Sequence, residues 1–428
     1  MSTITLIGAG SVVFSRRLVQ DIVCVPELAD ATVRLMDVDA DRLGLITAFA
    51  RKLVRDAKTN ISIESTQERK RALDGADYVL PTIRVGDAVE IDYGIPAKHG
   101  VDQSVGDTIG PGGVFKALRT VPVLIDIAKD METHCPAAWM LNYTNPMAIA
   151  CWGITDATSI KTVGLCHSVQ RTTEQLAEYI GAPRESITGW VAGINHMAWF
   201  LRFERDKRDA YPELRRVLEQ PSTYEQDPVR FEVMRHFGYF VTESTRHMSE
   251  YTPYFRKDDA LMKRFGLDKI KQDLKRRSDR DDAHFVKLRA DATSHEPVTA
   301  SRSDEYACRI IESIETGRPT VINANVPNDG LIDNLPSGSC VEVPCMVDSL
   351  GIHPMAVGEL PPQLAALDRS NIAVQELAVR AVMDRSRESA KHAVMVDPLT
   401  SAQLPLDKID AMFDEMWSAH GDRLKAYA

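Results

Sequence analysis

Short apolar runs alternate with helical stripes along the first 165 residues of the chain. Runs of about four to eight apolar residues are typical of buried strands, whereas apolar residues three or four positions apart are typical of amphipathic helices. We expect strands at residues 3–7, 32–36, 62–63, 77–83, 138–142 and 162–165. Strands separated by helices indicate an α/β fold with a Rossmann-like, doubly wound parallel sheet, whose ligands bind at the carboxyl ends of the strands.

The first predicted strand ends in a glycine turn, Gly8-Ala9-Gly10-Ser11, that leads directly into a helical pattern. Glycines let the backbone approach a pyrophosphate, whose charge is stabilised at the N-terminus of a helix. The second strand ends at Asp37, whose carboxylate can accept hydrogen bonds from an adenosine ribose and repel a 2′-phosphate. Gly8, Gly10, Ser11 and Asp37 therefore predict a site for NAD rather than NADP.

The pattern changes after residue 195, where the apolar period becomes irregular and charged residues become more frequent. We therefore expect an NAD-binding Rossmann-like domain at residues 1–195 and a mixed α+β domain for substrate binding and oligomerisation at residues 196–428. A Gly- and Pro-rich stretch at residues 94–113 predicts a long functional loop. Pro122 must then kink the following helix or lie in its first turn.

Composition narrows the range of ligands. The chain has 428 residues, with 51 basic and 61 acidic side chains and a net charge of −10. This balance argues against nucleic acid or an anionic membrane as a partner and favours small molecules. Seven cysteines without a CxxC spacing indicate reduced thiols. We expect a cytoplasmic protein without a membrane segment, because no run of about eighteen apolar residues occurs.

Two short segments about thirty residues apart offer metal ligands. Cys166-His167-Ser168-Val169 follows a predicted strand, and Gly193-Ile194-Asn195-His196 ends another. A thiolate and an imidazole would suit a divalent transition metal, and two protein ligands would leave positions open for substrate oxygens. The alternative is a small buried cysteine and a core histidine, and the spacing alone favours that alternative.

Aromatic and charged side chains are interleaved at residues 236–255, which include Glu243 and Tyr251. Such a mixture is most often an amphipathic helix. It also suits a sugar, because aromatic faces pack against C–H groups while charged tips bind hydroxyls.

Several motifs in order resemble those of glycoside hydrolase family 4, over nearly the whole chain. The matching stretches are residues 8–11, 83–86, 110–113, 117–119, 145–146, 166–169, 195–196 and 325–328. Cys-His-Ser-Val at residues 166–169 looks like the α-galactosidase, or melibiase, subgroup. Relatives that act on 6-phosphoglycosides carry Cys-Asp or Cys-Asn at the start of this motif.

The resemblance implies hydrolysis that does not use the usual pair of carboxylates. NAD⁺ takes a hydride from C3 of the sugar, and the ketone, polarised by the metal, acidifies the C2 proton. Loss of that proton expels the glycosidic oxygen from C1. Water then adds, and NADH returns the hydride, so there is no net redox change.

The resemblance also implies roles for single residues. Cys166 and His196 would hold Mn²⁺ or another divalent metal. His167 takes the place of the acid of the phosphoglycosidases, and it could instead orient a substrate hydroxyl. Glu243 is expected as the C2 base, with Tyr251 as the alternative. The expected substrate contacts are Arg84, Asp107, Asn145 and Arg302.

We expect an α-galactoside as substrate, with α-glucosides and α-galacturonides as alternatives, and a homodimer or homotetramer. Two other functions stay open. A 2-hydroxyacid dehydrogenase of the lactate or malate type would have a similar fold, but it would need no metal and would yield net NADH. A dinucleotide-bound redox sensor without catalysis would also need no metal.

Overall fold

One mixed sheet of twelve strands runs through the protein in the computed structural model, which describes residues 2–267 and 270–427. The strands are β1 (Thr3–Ile7), β2 (Thr32–Met36), β3 (Ser62–Thr66), β4 (Tyr78–Pro81), β5 (Trp139–Asn142), β6 (Lys161–Gly164), β7 (Ile187–Ile194), β8 (Met197–Arg205), β9 (Arg208–Asp209), β10 (Thr320–Pro327), β11 (Cys340–Asp348) and β12 (Gly351–Pro354). Their order in the sheet is β3-β2-β1-β4-β5-β6-β10-β11-β7-β8-β9, and β12 pairs with β11.

Helices cover both faces of this sheet. They are α1 (Val12–Val23), α2 (Ala40–Ala57), α3 (Arg69–Leu73), α4 (Ile95–His99), α5 (Gly110–His134), α6 (Met147–Ala157), α7 (Ser168–Tyr179), α8 (Tyr211–Leu218), α9 (Pro221–Tyr224), α10 (Pro228–Phe237), α11 (Thr245–Met248), α12 (Asp259–Arg264), α13 (Ile270–Thr293), α14 (Tyr306–Thr316), α15 (Pro362–Asp384), α16 (Arg387–Val396), α17 (Pro398–Gln403) and α18 (Leu406–His420). Within residues 2–267 and 270–427, none of the helices combines the length and the apolar character needed to cross a bilayer.

The first six strands form the predicted parallel sheet. Neighbouring strands from β3 through β6 all pair in parallel. Strands β1 and β4 are almost completely buried, as expected for strands with helices on both faces. The predicted α/β fold is therefore confirmed.

The sheet continues with antiparallel strands from the second half of the chain. Strand β10 pairs with β6, β11 pairs with β10 and β7, and β7 pairs with β8. Two strands from residues 320–348 thus lie between β6 and β7, although β6 and β7 are neighbours in the sequence. Strands from before and after residue 195 belong to the same sheet. The division into two domains at that residue stays a prediction.

Residues 94–113 differ from the predicted long loop. A π-helical turn, Glu90–Gly94, and α4 occupy its start, and α5 already begins at Gly110. Pro96 and Pro111 lie in the first turns of α4 and α5, where a missing N–H removes no helical hydrogen bond. Only residues 100–109 form an open connection. Pro122 lies in the interior of α5 and not in its first turn.

Candidate active site

The glycine turn after β1 has an open helix N-terminus beside it. Gly8 has φ +84°, a conformation that favours glycine, and a Cβ there would lie 2.9 Å from Cγ2 of Ile83. The N–H groups of Gly8 and Ala9 both donate to the Met36 carbonyl at 2.9 Å. Ser11 is the N-cap of α1, and its side chain makes no capping hydrogen bond. The first N–H groups of α1 are therefore open to an anion.

Asp37 holds this turn against the end of β2. Its Oδ2 accepts a hydrogen bond from Gly10 N at 2.7 Å, and its Oδ1 accepts one from Asp39 N at 2.9 Å. A cavity of about 1070 Å³ opens beside the turn, and Gly8, Gly10, Ser11 and Asp37 all line it. The structure thus brings the four predicted cofactor residues together in a cavity large enough for a dinucleotide.

A second cluster forms where β6, β7 and β11 come together. Cys166 follows β6, and His196 lies in the two-residue turn between β7 and β8, with φ +66°. Glu342 is on β11, and Glu243, with φ +82°, precedes α11. Glu342 lies close enough to Cys166, His196 and Glu243 for each to change its pKa. The metal ligands and the base expected from the sequence therefore meet at one place.

Three acidic side chains share this cluster. Burial raises the pKa of the Cys166 thiol, and the charge of Glu243 raises it further. Burial also raises the pKa of Glu342 well above its usual range, with Cys166 and Glu243 adding to the effect and His196 opposing it. A cation placed among these groups would relieve their mutual repulsion.

Glu243 responds differently, because imidazole, hydroxyl and guanidinium groups surround it. Burial would raise its pKa, but the imidazoles of His196 and His247, the Ser244 hydroxyl and Arg230 outweigh burial and lower the pKa to about 2. The Ser244 hydroxyl donates to Oε2 of Glu243 at 2.7 Å. Glu243 is therefore ionised at neutral pH.

His196 is fixed by a chain of hydrogen bonds. Its Nδ1 lies 2.7 Å from Nε2 of His247, and the two rings meet edge to face at a centroid distance of 4.6 Å. Nδ1 of His247 lies 3.2 Å from Oε2 of Glu250, whose Oε1 accepts from the backbone N–H groups of Ser104 and Val105 at 2.6 and 2.8 Å. This contact uses Nδ1 of His196, so Nε2 is the nitrogen left for a metal.

Tyr251 lies on the other side of His247. Its hydroxyl donates to Oγ1 of Thr108 at 3.0 Å, and that atom is 2.9 Å from Nε2 of His247. Burial raises the pKa of Tyr251 well above its usual value. Tyr251 is therefore a neutral phenol at neutral pH.

His167 faces the cofactor cavity from the residue that precedes α7. Its Nδ1 is 3.7 Å from Oε2 of Glu305, too far for a hydrogen bond, and both atoms are buried without a partner in the described chain. His167 thus connects the cofactor cavity with the cluster around its neighbour Cys166.

The predicted substrate contacts lie in different places. Arg84 lines the cofactor cavity and a second cavity of about 470 Å³, which Asp107 also lines. Asp107 accepts a hydrogen bond from Lys116 at 2.9 Å. Asn145 follows β5 and is half-buried, but it is not among the residues that line these cavities. Arg302 forms an ion pair with Glu312 on α14 and also lines none of the cavities described here.

Glu243, which the sequence predicted, lines a third cavity of about 620 Å³.

The sequence analysis did not assign a role to several other residues near the site. Arg280 of α13 lines all three cavities. His247 and Glu250 are three residues apart, a helical spacing that could have indicated their contact. Glu342 is an acid within the apolar run of β11, which was a second overlooked signal.

The cluster fits a divalent transition metal. Cys166 and His196 offer a thiolate and an imidazole, and two further buried groups, Glu342 and the Asn195 amide nitrogen, have no hydrogen-bond partner in the described chain. Across residues 2–267 and 270–427, no three His, Cys, Asp or Glu side chains are already arranged to hold a metal. Cys166 and His196 could therefore supply two donors to a metal, and other positions would be left open for substrate oxygens.

Comparison with known proteins identifies relatives along the whole chain. An α-galactosidase of Bacillus subtilis (strain 168) is 43% identical, with 100% of both chains covered. An α-galactosidase of Rhizobium meliloti (strain 1021) is 36% identical, over 99% of this chain and 89% of its own. An α-galacturonidase of Thermoanaerobacterium saccharolyticum is 31% identical, over 97% of this chain and 94% of its own.

Solved structures share the fold. The structure of lplD from Bacillus subtilis has a TM-score of 0.84 and 27% identity, covering 97% of this chain and 99% of its own. A 6-phospho-α-glucosidase from gut microorganisms, solved in complex with NAD and Mn²⁺, has a TM-score of 0.84 and 20% identity, covering 99% and 98%. The model of the family 4 glycosyl hydrolases matches residues 3–182, and that of their C-terminal domain matches residues 191–400. The chain belongs to glycoside hydrolase family 4.

Proposed function

We propose that this protein is an NAD- and Mn²⁺-dependent α-galactosidase. The observation that carries the proposal is the meeting of Cys166, His196 and the ionised Glu243 in one cluster, with His167 connecting that cluster to the dinucleotide cavity. Cys-His-Ser-Val at residues 166–169 and the 43% identity to an α-galactosidase support the choice of sugar. A dehydrogenase or a redox sensor is not carried further, because the family is one of glycosidases.

The residues of the glycine turn would hold NAD. The open N-terminus of α1 would bind the pyrophosphate, and Asp37 would face the adenosine ribose from the end of β2. Asp37 also accepts hydrogen bonds from Gly10 and Asp39, so its carboxylate fixes the turn as well as the ribose. A cavity that Arg84 and His167 also line extends this site toward the metal cluster.

The thiolate of Cys166 and Nε2 of His196 would hold the metal, and carboxylates nearby add the oxygen character that suits Mn²⁺. When bound, the two groups supply transient oxidation of the sugar at C3 and polarisation of the resulting carbonyl. The chain's own residues orient the sugar and move the proton at C2.

Glu243 is our choice for the base at C2. Its carboxylate is ionised because its pKa is lowered to about 2, and it lines a cavity that a sugar can enter. Tyr251 keeps its proton and donates it to Thr108, so it would have to lose that hydrogen bond before it could act as a base. His167, at the edge of the cofactor cavity, would orient a hydroxyl or act as the acid.

An α-galacturonide is a second candidate, since a relative at 31% identity is an α-galacturonidase. Arg84 and Arg280 both line the second cavity and could pair with a substrate carboxylate. A cytoplasmic location and a homodimer or homotetramer stay predictions.

Hydrolysis in D₂O tests the proposal. Aryl α-galactoside, α-glucoside and α-galacturonide would be offered to the enzyme with NAD⁺ and Mn²⁺, and released sugars analysed by NMR. We expect galactose with deuterium at C2 and no turnover without NAD⁺. Galactose free of deuterium at C2 would exclude the elimination route, and preference for the galacturonide would exclude only the choice of sugar.

A further inference from the structure

Glu342 is buried, and no hydrogen bond of good geometry reaches its carboxyl. Its side chain is 0% exposed, and neither of its oxygens has a partner in the described chain. Burying a polar group without a partner is costly, and such groups are rare in folded proteins. A carboxyl of this kind requires an explanation.

Other buried acids of this protein have donors. Oδ1 of Asp368 accepts from the Trp199 indole at 3.0 Å, and Oδ2 of Asp397 accepts from the N–H and hydroxyl of Thr400 at 2.8 and 2.7 Å. Each has one oxygen without a partner. Among the residues that the structure describes, Glu342 is the carboxyl with both oxygens in this state.

The position of Glu342 in the sheet is equally specific. Its Cα lies opposite Asn325 on β10 and Gly193 on β7, and Asn325 lies opposite Gly164 on β6. These four residues form one row across four strands. Gly164 is two residues before Cys166, and Gly193 is three residues before His196. Glu342 therefore lies between the two segments that carry the thiolate and the imidazole.

The Asn195 amide is the second group of this kind. It lies close enough to Cys166 and Glu342 to lower the pKa of each. Its Nδ2 nevertheless makes no hydrogen bond of good geometry in the described chain. Asn195 immediately precedes His196. An unpartnered acceptor and an unpartnered donor thus lie side by side next to the ligand pair.

We propose that Glu342 is a positioning residue of the metal site, whose carboxyl lies behind Cys166 and His196 and orders the Asn195 amide. This inference rests on the proposed function, because it requires the metal. We place Glu342 outside the ligand pair, because its Cα lies in the strand row of Gly164 and Gly193, two and three residues before Cys166 and His196. Carboxylates in such outer positions typically change metal affinity by about 10–100-fold.

The test is Mn²⁺ affinity, measured from the EPR signal of free Mn²⁺ in the presence of saturating NAD⁺. Glu342→Gln keeps the shape but replaces one of the two carboxyl oxygens with an amide nitrogen beside the Asn195 amide, so we expect Mn²⁺ to bind roughly 10–100-fold more weakly. NAD⁺ affinity should be unchanged. The thermal midpoint of the metal-free protein should stay close to that of the wild type, because one buried polar group without partners is exchanged for another of the same size.

Asp368→Asn is the matched control, because Asn keeps the acceptor for Trp199. It should leave Mn²⁺ affinity unchanged. If Glu342→Gln binds Mn²⁺ as tightly as the wild type, or if Asp368→Asn weakens Mn²⁺ equally, the inference is wrong. Should Glu342→Gln fail to fold, Glu342→Met carries the same expectation. A wild-type protein that binds no Mn²⁺ would instead refute the metal dependence in the proposed function, and this inference with it.

Discussion

The cofactor cavity and the metal cluster are assembled from different kinds of sequence information. The cavity depends on one turn, in which Gly8 and Gly10 are followed by a helix and tied to Asp37 at the next strand. The cluster depends on side chains from four segments between Cys166 and Glu342. These segments are far apart in the sequence, and no local pattern links them. Backbone geometry creates the first site, whereas strand order creates the second. Substitutions should therefore separate cofactor binding from chemistry.

The largest separation is expected for the two metal ligands. Cys166→Ser or His196→Ala should reduce turnover of an aryl α-galactoside to background, because each removes one of only two protein donors. NAD⁺ affinity, measured by calorimetry, should stay near the wild-type value, since neither residue lines the cofactor cavity. Chelators should mimic these variants, with recovery on addition of Mn²⁺. Normal turnover in either variant would contradict a metal site at Cys166 and His196.

A smaller but still large effect is expected for the base. Glu243→Gln should lower kcat by roughly 10²–10⁴-fold, as the loss of a general base does, with a lesser effect on sugar affinity. Glu225→Gln is the control, because Glu225 lines the same cavity and is exposed. If Glu243→Gln is active and Tyr251→Phe is inactive, Tyr251 and not Glu243 is the base at C2.

A substitution at the glycine turn should weaken NAD⁺ binding and leave the metal site unchanged. Asp37→Asn should weaken NAD⁺ binding by roughly 10–100-fold, since a hydrogen bond to a charged group contributes about 1.5–3 kcal/mol. Mn²⁺ affinity should be unaffected. Asp39→Asn, in the same cavity, keeps a capping side chain for α2 and should bind NAD⁺ almost normally. If Asp37→Asn loses equal affinity for NAD⁺ and for Mn²⁺, the two sites are not independent.

The smallest expected effect is on stability at low pH. The pKa of Glu243 falls from an ordinary value of 4.5 to about 2 in the folded protein, so its charge stabilises the fold fully above pH 4.5. That contribution is lost as the pH falls toward about 2. The difference in thermal midpoint between the wild type and Glu243→Gln should therefore shrink below pH 4.5. A difference that grows on acidification would contradict the pairing with His196 and His247.

The same contrast explains what the sequence could predict. Strands β1 to β6 and the turn at Gly8 depend on local patterns, and the structure has them where we expected. Strand β10 was missed because Asn323, Asn325 and Pro327 interrupt its apolar run. Residues 94–113 were expected as a loop because prolines that begin helices resemble prolines that break them. Arg302 was expected as a substrate contact from the resemblance, and its pairing with Glu312 depends on tertiary structure that the sequence does not show.

The place of β10 and β11 between β6 and β7 also has a consequence during synthesis on the ribosome. When residue 195 has emerged, the edge of β6 has no partner, and it acquires one only when residues 320–327 are made. At about 5–20 residues per second, synthesis from residue 195 to residue 327 takes roughly 7–26 s. An unpaired edge is a template for pairing between chains, so the edge of β6 is open to such pairing during that time. Strand β10, which ends this exposure, is followed in the chain by β11, the strand that carries Glu342.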